Sequence, residues 1–417
     1  MERCLEFDSH SLSDRATIRH QKTDQFTFSY IRIYFPIEIA NIKELCVESA
    51  IIPGILADQL KNNKHIIHEL DSLYGASLEF KFQKLGKYLV LSLEGSYANI
   101  LDSKASQKYM QILQKALLDP FYKEKYFSDS FEKSIRSLHL NIIAHKENNY
   151  LRLNYLLIKN AFPKSIFGRF YLGEEEDLCD LRPSTVYSKY QKIISDSYIY
   201  IFQISNSNII LNKTFLNNIP KSSHCTKNNF VFSEVNRLDF KTIVEKPYKG
   251  PSFLGLAFRT PYTYKNPNYY VALVFNKLLD YLLHLKIRNE KGLAYYAGCE
   301  LTKHDGLWCI RIGTKAKNFK CVKKIINSIL HAVISEDYTD SELAKCKEGI
   351  INSIYSVIDS PTLRIAFLFD GLFFDNVNEL EDFFQKIKSV RKEDITKIAS
   401  LILIASIVEI VGADGNK

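Results

Sequence analysis

Glycine and proline are scarce in this chain, with 16 Gly and 11 Pro among 417 residues. That scarcity excludes fibrous and low-complexity classes, which depend on those residues. Eight cysteines stand at positions 4, 46, 179, 225, 299, 309, 321 and 346. No pair has the C-x-x-C spacing of a zinc ribbon or a thioredoxin motif. Cys46 and Cys309 lie in apolar surroundings, where a free buried thiol is the ordinary state. Long hydrophobic runs are missing too. The most apolar stretch, Ala399 to Val411, spans 13 residues and contains Glu409, which is too short to cross a bilayer. The first residues, Met1-Glu2-Arg3-Cys4-Leu5-Glu6, lack the apolar core of a signal peptide. These absences lead to the expectation of a cytoplasmic, reduced protein without a membrane span.

What is present describes a folded chain. Hydrophobic residues make up 46% and charged ones 24%, enough apolar surface to offset chain entropy and exclude a disordered tail. The length suggests two or three domains. The net charge of +8 is spread along the chain. Its densest basic stretch, Lys315 to Lys324, contains five lysines and is expected to be a solvated helix face. No aromatic-interleaved motif accompanies it, so a nucleic-acid partner is not expected. G-x-S-x-G, G-x-x-x-x-G-K-[ST] and G-x-G-x-x-G are all absent.

Strand-like and helix-like segments alternate twice. Gln25–Phe35 alternates at period two and predicts a strand. Asn41–Leu60 is helical in pattern but carries Pro53-Gly54, expected to interrupt it. A helix over His65–Leu73 precedes a hairpin, Ser77–Phe82 and Tyr88–Glu94, around Gly86. Helices follow over Gln107–Leu118 and Asp129–Lys146, then strands over Tyr198–Ile204 and Asn208–Leu211. After the polar segment Asn212–Gly250 the order restarts. Ser252–Phe258 is a strand and Asn268–Arg288 a long amphipathic helix. Ala294–Thr302 and Leu307–Gly313 form a hairpin around Gly306. Helices Phe319–Ser335, Thr339–Ile358 and Glu393–Ala405 lead to a last strand, Ile407–Val411. Leu73 and Gly86 map onto Leu293 and Gly306 at one offset of 220 residues, which suggests a duplicated α+β domain. The expected division is 1–220, a linker over 221–250, and 251–417.

Two strings carry a family resemblance. The first, Leu70-Asp71-Ser72-Leu73-Tyr74-Gly75-Ala76-Ser77-Leu78, ends a helix and opens a strand. The second is Leu285-Lys286-Ile287-Arg288-Asn289-Glu290-Lys291-Gly292-Leu293-Ala294-Tyr295. It matches an R-x-x-x-G-L-x-Y element with Arg288 and Tyr295 seven residues apart. Together they resemble the insulinase/pitrilysin family of zinc peptidases, the inverzincins, and within it the short bacterial members whose active site is shared by two chains. The resemblance implies two homologous insulinase-like domains, antiparallel sheets covered by helices, facing each other across a chamber. It also implies that Arg288 and Tyr295 bind substrate and support the transition state, on a turn formed by Gly292 and Leu293.

The departure from the family is sharp. Active members carry H-x-x-E-H on a helix of the first domain, where this chain reads Ala50-Ile51-Ile52-Pro53-Gly54-Ile55-Leu56-Ala57-Asp58-Gln59-Leu60. Zinc catalysis needs neutral imidazoles, a carboxylate ligand and a glutamate base around one open position. None of these groups stands there. Nearby His65-Ile66-Ile67-His68-Glu69 has the letters in the wrong order, with Glu69 about 100° around the helix from His68. His139 and His145 fall on different helix faces, and Glu132, near the place of a third ligand, has no companions.

The expected protein is therefore a non-catalytic subunit of a two-component zinc peptidase. It binds no cofactor itself and expects zinc on a partner chain carrying H-x-x-E-H. Its partners would be that homologue in a heterodimer, or a second copy of itself, and a peptide substrate. The rival expectation is a homodimeric peptide-binding or scaffold protein with no proteolytic role. A self-sufficient metallopeptidase using His65 and His68 is the third.

Overall fold

The computed structural model describes residues 7–39, 46–100, 103–163, 165–208, 213–223, 241–374 and 380–413. The chain divides into two compact units. Unit 1 contains residues 1–142, 170–229 and 358–369, and unit 2 contains 143–169, 230–357 and 370–417.

Unit 1 is built on six strands. They are β1 (Asp8–Ser13), β2 (Ala16–Lys22), β3 (Phe28–Glu38), β4 (Ser77–Leu85), β5 (Tyr88–Ala98) and β6 (Ile199–Ser205), in the order β1-β2-β6-β3-β5-β4. β2 runs parallel to β6, and the pairs β6–β3, β3–β5 and β5–β4 are antiparallel. β6 lies inside the sheet and every one of its residues is buried, as its continuous apolar sequence predicts. Helices Ser103–Tyr122, Lys125–Glu147 and Pro183–Asp196 supply much of the surrounding core. Residues 358–369 also belong here. Phe369 stacks on Tyr34 of β3 with ring centroids 3.7 Å apart and meets Tyr200 and Phe202 of β6 edge-on.

Unit 2 has five strands, β7 (Lys241–Tyr248), β8 (Phe253–Arg259), β9 (Ala294–Thr302), β10 (Leu307–Thr314) and β11 (Leu403–Gly412), in the order β7-β11-β8-β10-β9. β7 is parallel to β11 and the other pairs are antiparallel. The helix Asn149–Ala161 packs on β8 and β11. Gly255 on β8 makes this packing possible, because a Cβ there would stand 2.8 Å from the Cδ1 atoms of Leu153 and Leu157. Trp308 of β10 faces the helix Tyr269–Leu283, meeting Phe275 edge-on and donating to Asn276 Oδ1 at 2.8 Å.

Without β1, the two sheets have the same strand order and the same senses of pairing. Their registers agree as well. Advancing each number by 220 turns the pair Phe35–Leu91 into Gly255–Arg311 and the pair Ile37–Leu89 into Ala257–Cys309. The first strand of each hairpin departs from that offset. Phe80 faces Leu93 in one sheet, whereas Tyr296 faces Gly313 in the other, an offset of 216 for β4 and β9. The second hairpin gains four residues, an extra strand pair Thr302–Leu307 and a turn two residues longer, so the expected match of Leu73 with Leu293 shifts by four positions. Gly86 opens its turn and Gly306 closes the other, both in the left-handed region with φ of 59° and 63°, where glycine is least strained.

Local structure differs from the sequence expectation at several points. The helical stretch expected to be interrupted near Pro53-Gly54 is divided at Ile51 into the helices Cys46–Ala50 and Ile52–Asn62, with Pro53 in the first turn of the second. The long helix expected over Asn268–Arg288 is α-helical over Tyr269–Leu283 and continues as a π-helical segment, His284–Glu290. Within the 221–250 segment, residues 241–248 form a paired strand and 224–240 lie outside the described residues. The strand expected over Asn208–Leu211 lies, from residue 209 onward, outside them too. Among the described residues, no helix is long and apolar enough to cross a membrane.

Candidate functional site

The place at which relatives would hold a metal is filled by packing. Ile52, Ile55 and Leu56 of the helix Ile52–Asn62 are buried. Gly54 faces Ser134 of the helix Lys125–Glu147, whose Oγ would stand 3.5 Å from a Cβ built on that glycine. One turn later Asp58, almost buried, pairs with the ammonium of Lys133. It also accepts from Ser130 Oγ at 2.7 Å and from Asn62 Nδ2 at 3.0 Å. Burial alone would raise the pKa of Asp58, but Lys133, Ser130 and Asn62 together hold it below the ordinary carboxylate value. Those residues do not fit zinc. Aliphatic side chains replace imidazoles, and the one carboxylate is committed to a lysine.

The histidines elsewhere do not assemble a site. His65 is exposed and its Nδ1 lies 3.4 Å from Glu69 Oε2 one turn along the same helix, while His68 is exposed. His139 Nε2 lies 3.0 Å from Glu175 Oε1, and Glu132 is exposed. Among the described residues no three His, Cys, Asp or Glu side chains are grouped to hold a metal ion.

The Arg288/Tyr295 element has a defined geometry in unit 2. Arg288 lies in the π-helical segment His284–Glu290, anchored by the buried Ile287. Its guanidinium is exposed and makes no hydrogen bond or ion pair among the described residues. Gly292 then turns the chain with φ of 59°. Its N–H donates to Arg288 O at 3.1 Å, and Leu293 N–H donates to Ile287 O at 3.0 Å. Leu293 O accepts from the hydroxyl of Thr314 and from Asn318 Nδ2 at 3.5 Å, which ties the turn to the end of β10. A helix end, a left-handed glycine and two side-chain clamps thus fix where β9 begins.

Tyr295 is the second residue of β9 and is 50% exposed. Its hydroxyl donates to Ser252 O at 3.0 Å, and its ring meets Phe253 edge-on at 5.8 Å. It lies across Gly313 of β10, where a Cβ would come within 2.4 Å of the ring. Sequence reasoning missed Gly313 and Ser252 as supports of this tyrosine. The signal was available in the hairpin register, which pairs Gly313 with Tyr296. Tyr150 and Tyr296 were missed as well. Their hydroxyls lie 3.3 Å apart, and burial together with Tyr150 pushes the Tyr296 phenol well up.

Comparison with known proteins places this arrangement. Residues 185–350 match the family model described as the peptidase M16 inactive domain. The chain is 23% identical over 410 residues to a probable inactive metalloprotease, YmfF, of Bacillus subtilis, covering 94% of this chain and 95% of that protein. A conserved protein from Enterococcus faecalis has the same fold, with TM-score 0.84, 17% identity and coverage of 99% and 100% of the two chains. A peptidase M16 inactive domain from Pseudomonas fluorescens superposes with TM-score 0.80 at 14% identity, covering 99% of each chain. These likenesses make the chain similar to inactive M16 peptidases over residues 185–350, with the fold of the solved structures along nearly its whole length.

Proposed function

We propose that this chain is the non-catalytic subunit of a two-component zinc peptidase. It lends Arg288 and Tyr295 to substrate bound at a partner's H-x-x-E-H site, and binds no zinc itself. The observation that carries this reading is the uncommitted guanidinium of Arg288, held on a rigid π-helical turn at the start of β9. π-helical turns are found frequently at functional sites, and an exposed cation without a partner among the described residues is available to a substrate carbonyl. β9 is the terminal strand of its sheet, so an extended peptide laid along it would find backbone groups to pair with. In this reading Gly292 and Leu293 position the two donors, and the partner is a homologous chain in a cytoplasmic heterodimer.

The rival, a homodimeric peptide-binding scaffold, is favoured by one specific observation. The phenolic proton of Tyr295 is engaged with Ser252 O, as a purely structural tyrosine would be. Peptide cleavage by wild-type and variant chains, each mixed with the zinc-bearing partner, separates the two. Losing one donor to a developing oxyanion costs about 10²–10³ in rate. Arg288→Ala or Tyr295→Phe should reduce turnover by the mixed complex on that order while leaving partner association intact. The chain alone should cleave nothing. Wild-type rates from both variants would leave the scaffold reading.

A further inference from the structure

The lysine-rich stretch after β10 returns to the Arg288 turn. The register of the second hairpin pairs Thr314 with Ala294, so Lys315 follows on the strand end beside Leu293. Thr314 and Asn318 both donate to Leu293 O, which clamps the short helical turn Ala316–Asn318 against the segment holding Arg288 and Lys291. Four cations therefore surround one turn: Arg288, Lys291, Lys315 and Lys317. All four are exposed, and none makes a hydrogen bond or ion pair among the described residues.

The neighbouring charges sharpen this. Of the five lysines between 315 and 324, Lys323 alone has a carboxylate partner among the described residues, Glu409 at 2.7 Å. The one acidic side chain of the π-helical segment, Glu290, is paired with Lys286 at 3.0 Å. No acidic residue stands in the first turn of the helix Phe319–Ile334 that follows. Like charges held together without internal counter-ions repel one another, and clustered on one side of a binding edge they attract the opposite charge.

We infer that the Arg288–Lys291–Lys315–Lys317 cluster is a docking surface for an acidic peptide segment, whose Asp or Glu carboxylates meet these cations as its backbone lies along β9. The inference rests on the proposed peptide-binding role of this edge and names its substrate class. An extended acidic peptide is favoured over a nucleic acid because the cluster adjoins a terminal strand whose backbone groups an extended peptide can pair with.

The test uses the purified full chain without a partner, and fluorescently labelled octapeptides alternating valine with glutamate, glutamine or lysine. Anisotropy titrations at about 0.05 M salt should show the glutamate peptide binding about tenfold tighter than the glutamine peptide. The preference should fade at about 0.5 M, where screening shortens to a few ångströms. The triple variant Lys291→Glu, Lys315→Glu, Lys317→Glu should abolish the preference, since all three contacts change sign. Because the substituted side chains are exposed, its melting curve should match wild type. Equal binding of the three peptides, no binding of any, or a preference unchanged in the triple variant would each overturn the inference. So would tighter binding of an oligothymidylate of the same charge. The proposed subunit role is read instead by cleavage in the mixed complex, so either can fail while the other stands.

Discussion

Arg152 and Arg364 occupy equivalent positions in two helices of the duplicated fold, each donating to the backbone carbonyl six residues before it. Arg152 Nη1 donates to Lys146 O at 3.5 Å, and Arg364 Nε donates to Ile358 O. Each follows a leucine in the second turn of its helix, Asn149–Ala161 or Pro361–Phe373. The first helix lies in the unit built mainly from the later half of the sequence, and residues 358–369 lie in the unit built from the earlier half. Equivalent helices are thus assigned in the same crossed manner in both repeats, which is expected if one ancestral domain was duplicated with its packing mode intact.

The two arginines end on different partners. Arg152 pairs with Glu245 of β7, whereas Arg364, with no exposed surface, donates to Gln21 Oε1 at 2.9 Å and Gln25 Oε1 at 2.5 Å. Arg364→Met would leave two glutamine carbonyls and a backbone carbonyl without their donor, at a cost of about 2–4 kcal/mol. Arg152→Met, at a site with partial solvent access, should cost less. Denaturant unfolding followed by proteolysis of each unit measures both, and an equal loss would show that burial does not set the difference.

Gly313 and Tyr295 should behave as one element. A methyl group at 313 would overlap the ring, so Gly313→Ala must push Tyr295 away from Ser252. Overpacking of this kind costs about 1–3 kcal/mol. The cost should shrink when Tyr295 is also replaced by alanine, because the overlap is gone. A double-mutant cycle on thermal stability checks this, and additive losses would place the ring elsewhere in solution.

How much of this was legible beforehand differs by element. The second hairpin was read to within a residue, because its alternation and the turn glycine Gly306 are local signals. β1, β2 and β7 were not foreseen as strands: β1 is polar except for Leu12 and β7 mixes lysines with proline, so neither shows an alternating apolar face. The helix Asn149–Ala161 was invisible as a separate element, since its reason for existing is the groove over Gly255, a hundred residues later. For the site, Arg288, Gly292, Leu293 and Tyr295 were named from motif spacing. Their supports were not: Gly313 and Thr314 follow from the register of the hairpin once it is aligned, whereas Ser252 reaches the tyrosine from outside the hairpin.

Asp58 predicts a pH-dependent contribution in the helix Ile52–Asn62. Its folded pKa lies below the model-peptide value of 3.8, so its stabilisation is present above that value and is lost as pH falls through the folded one. Asp58→Asn should therefore destabilise unit 1 at neutral pH, by about 1–3 kcal/mol through the loss of a buried charge-assisted network. The gap between wild type and variant should close below pH 3.8. A gap that persists in acid would assign the effect to packing of the side chain instead of its charge.

His304 gives the opposite kind of test, a buried base that folding keeps neutral. It stands in the turn between β9 and β10, stacked on Phe374 at 4.6 Å, with Nε2 3.8 Å from Asp370 Oδ1. Burial pushes its pKa down to about 4; the nearby Asp370 carboxylate opposes that shift and Lys303 adds to it. In the unfolded chain the same imidazole takes its proton near pH 6.5. Between those values the unfolded state binds more protons, so stability must fall as pH drops from about 6.5 to about 4, by up to about 3 kcal/mol from this residue. His304→Phe keeps a ring for the stack and cannot titrate. Its stability should change less over that interval, so the variant should gain on wild type as the pH falls. Denaturant midpoints measured at half-unit steps of pH would show it, and parallel curves for wild type and variant would mean that the imidazole is protonated in the folded protein as readily as in the unfolded one.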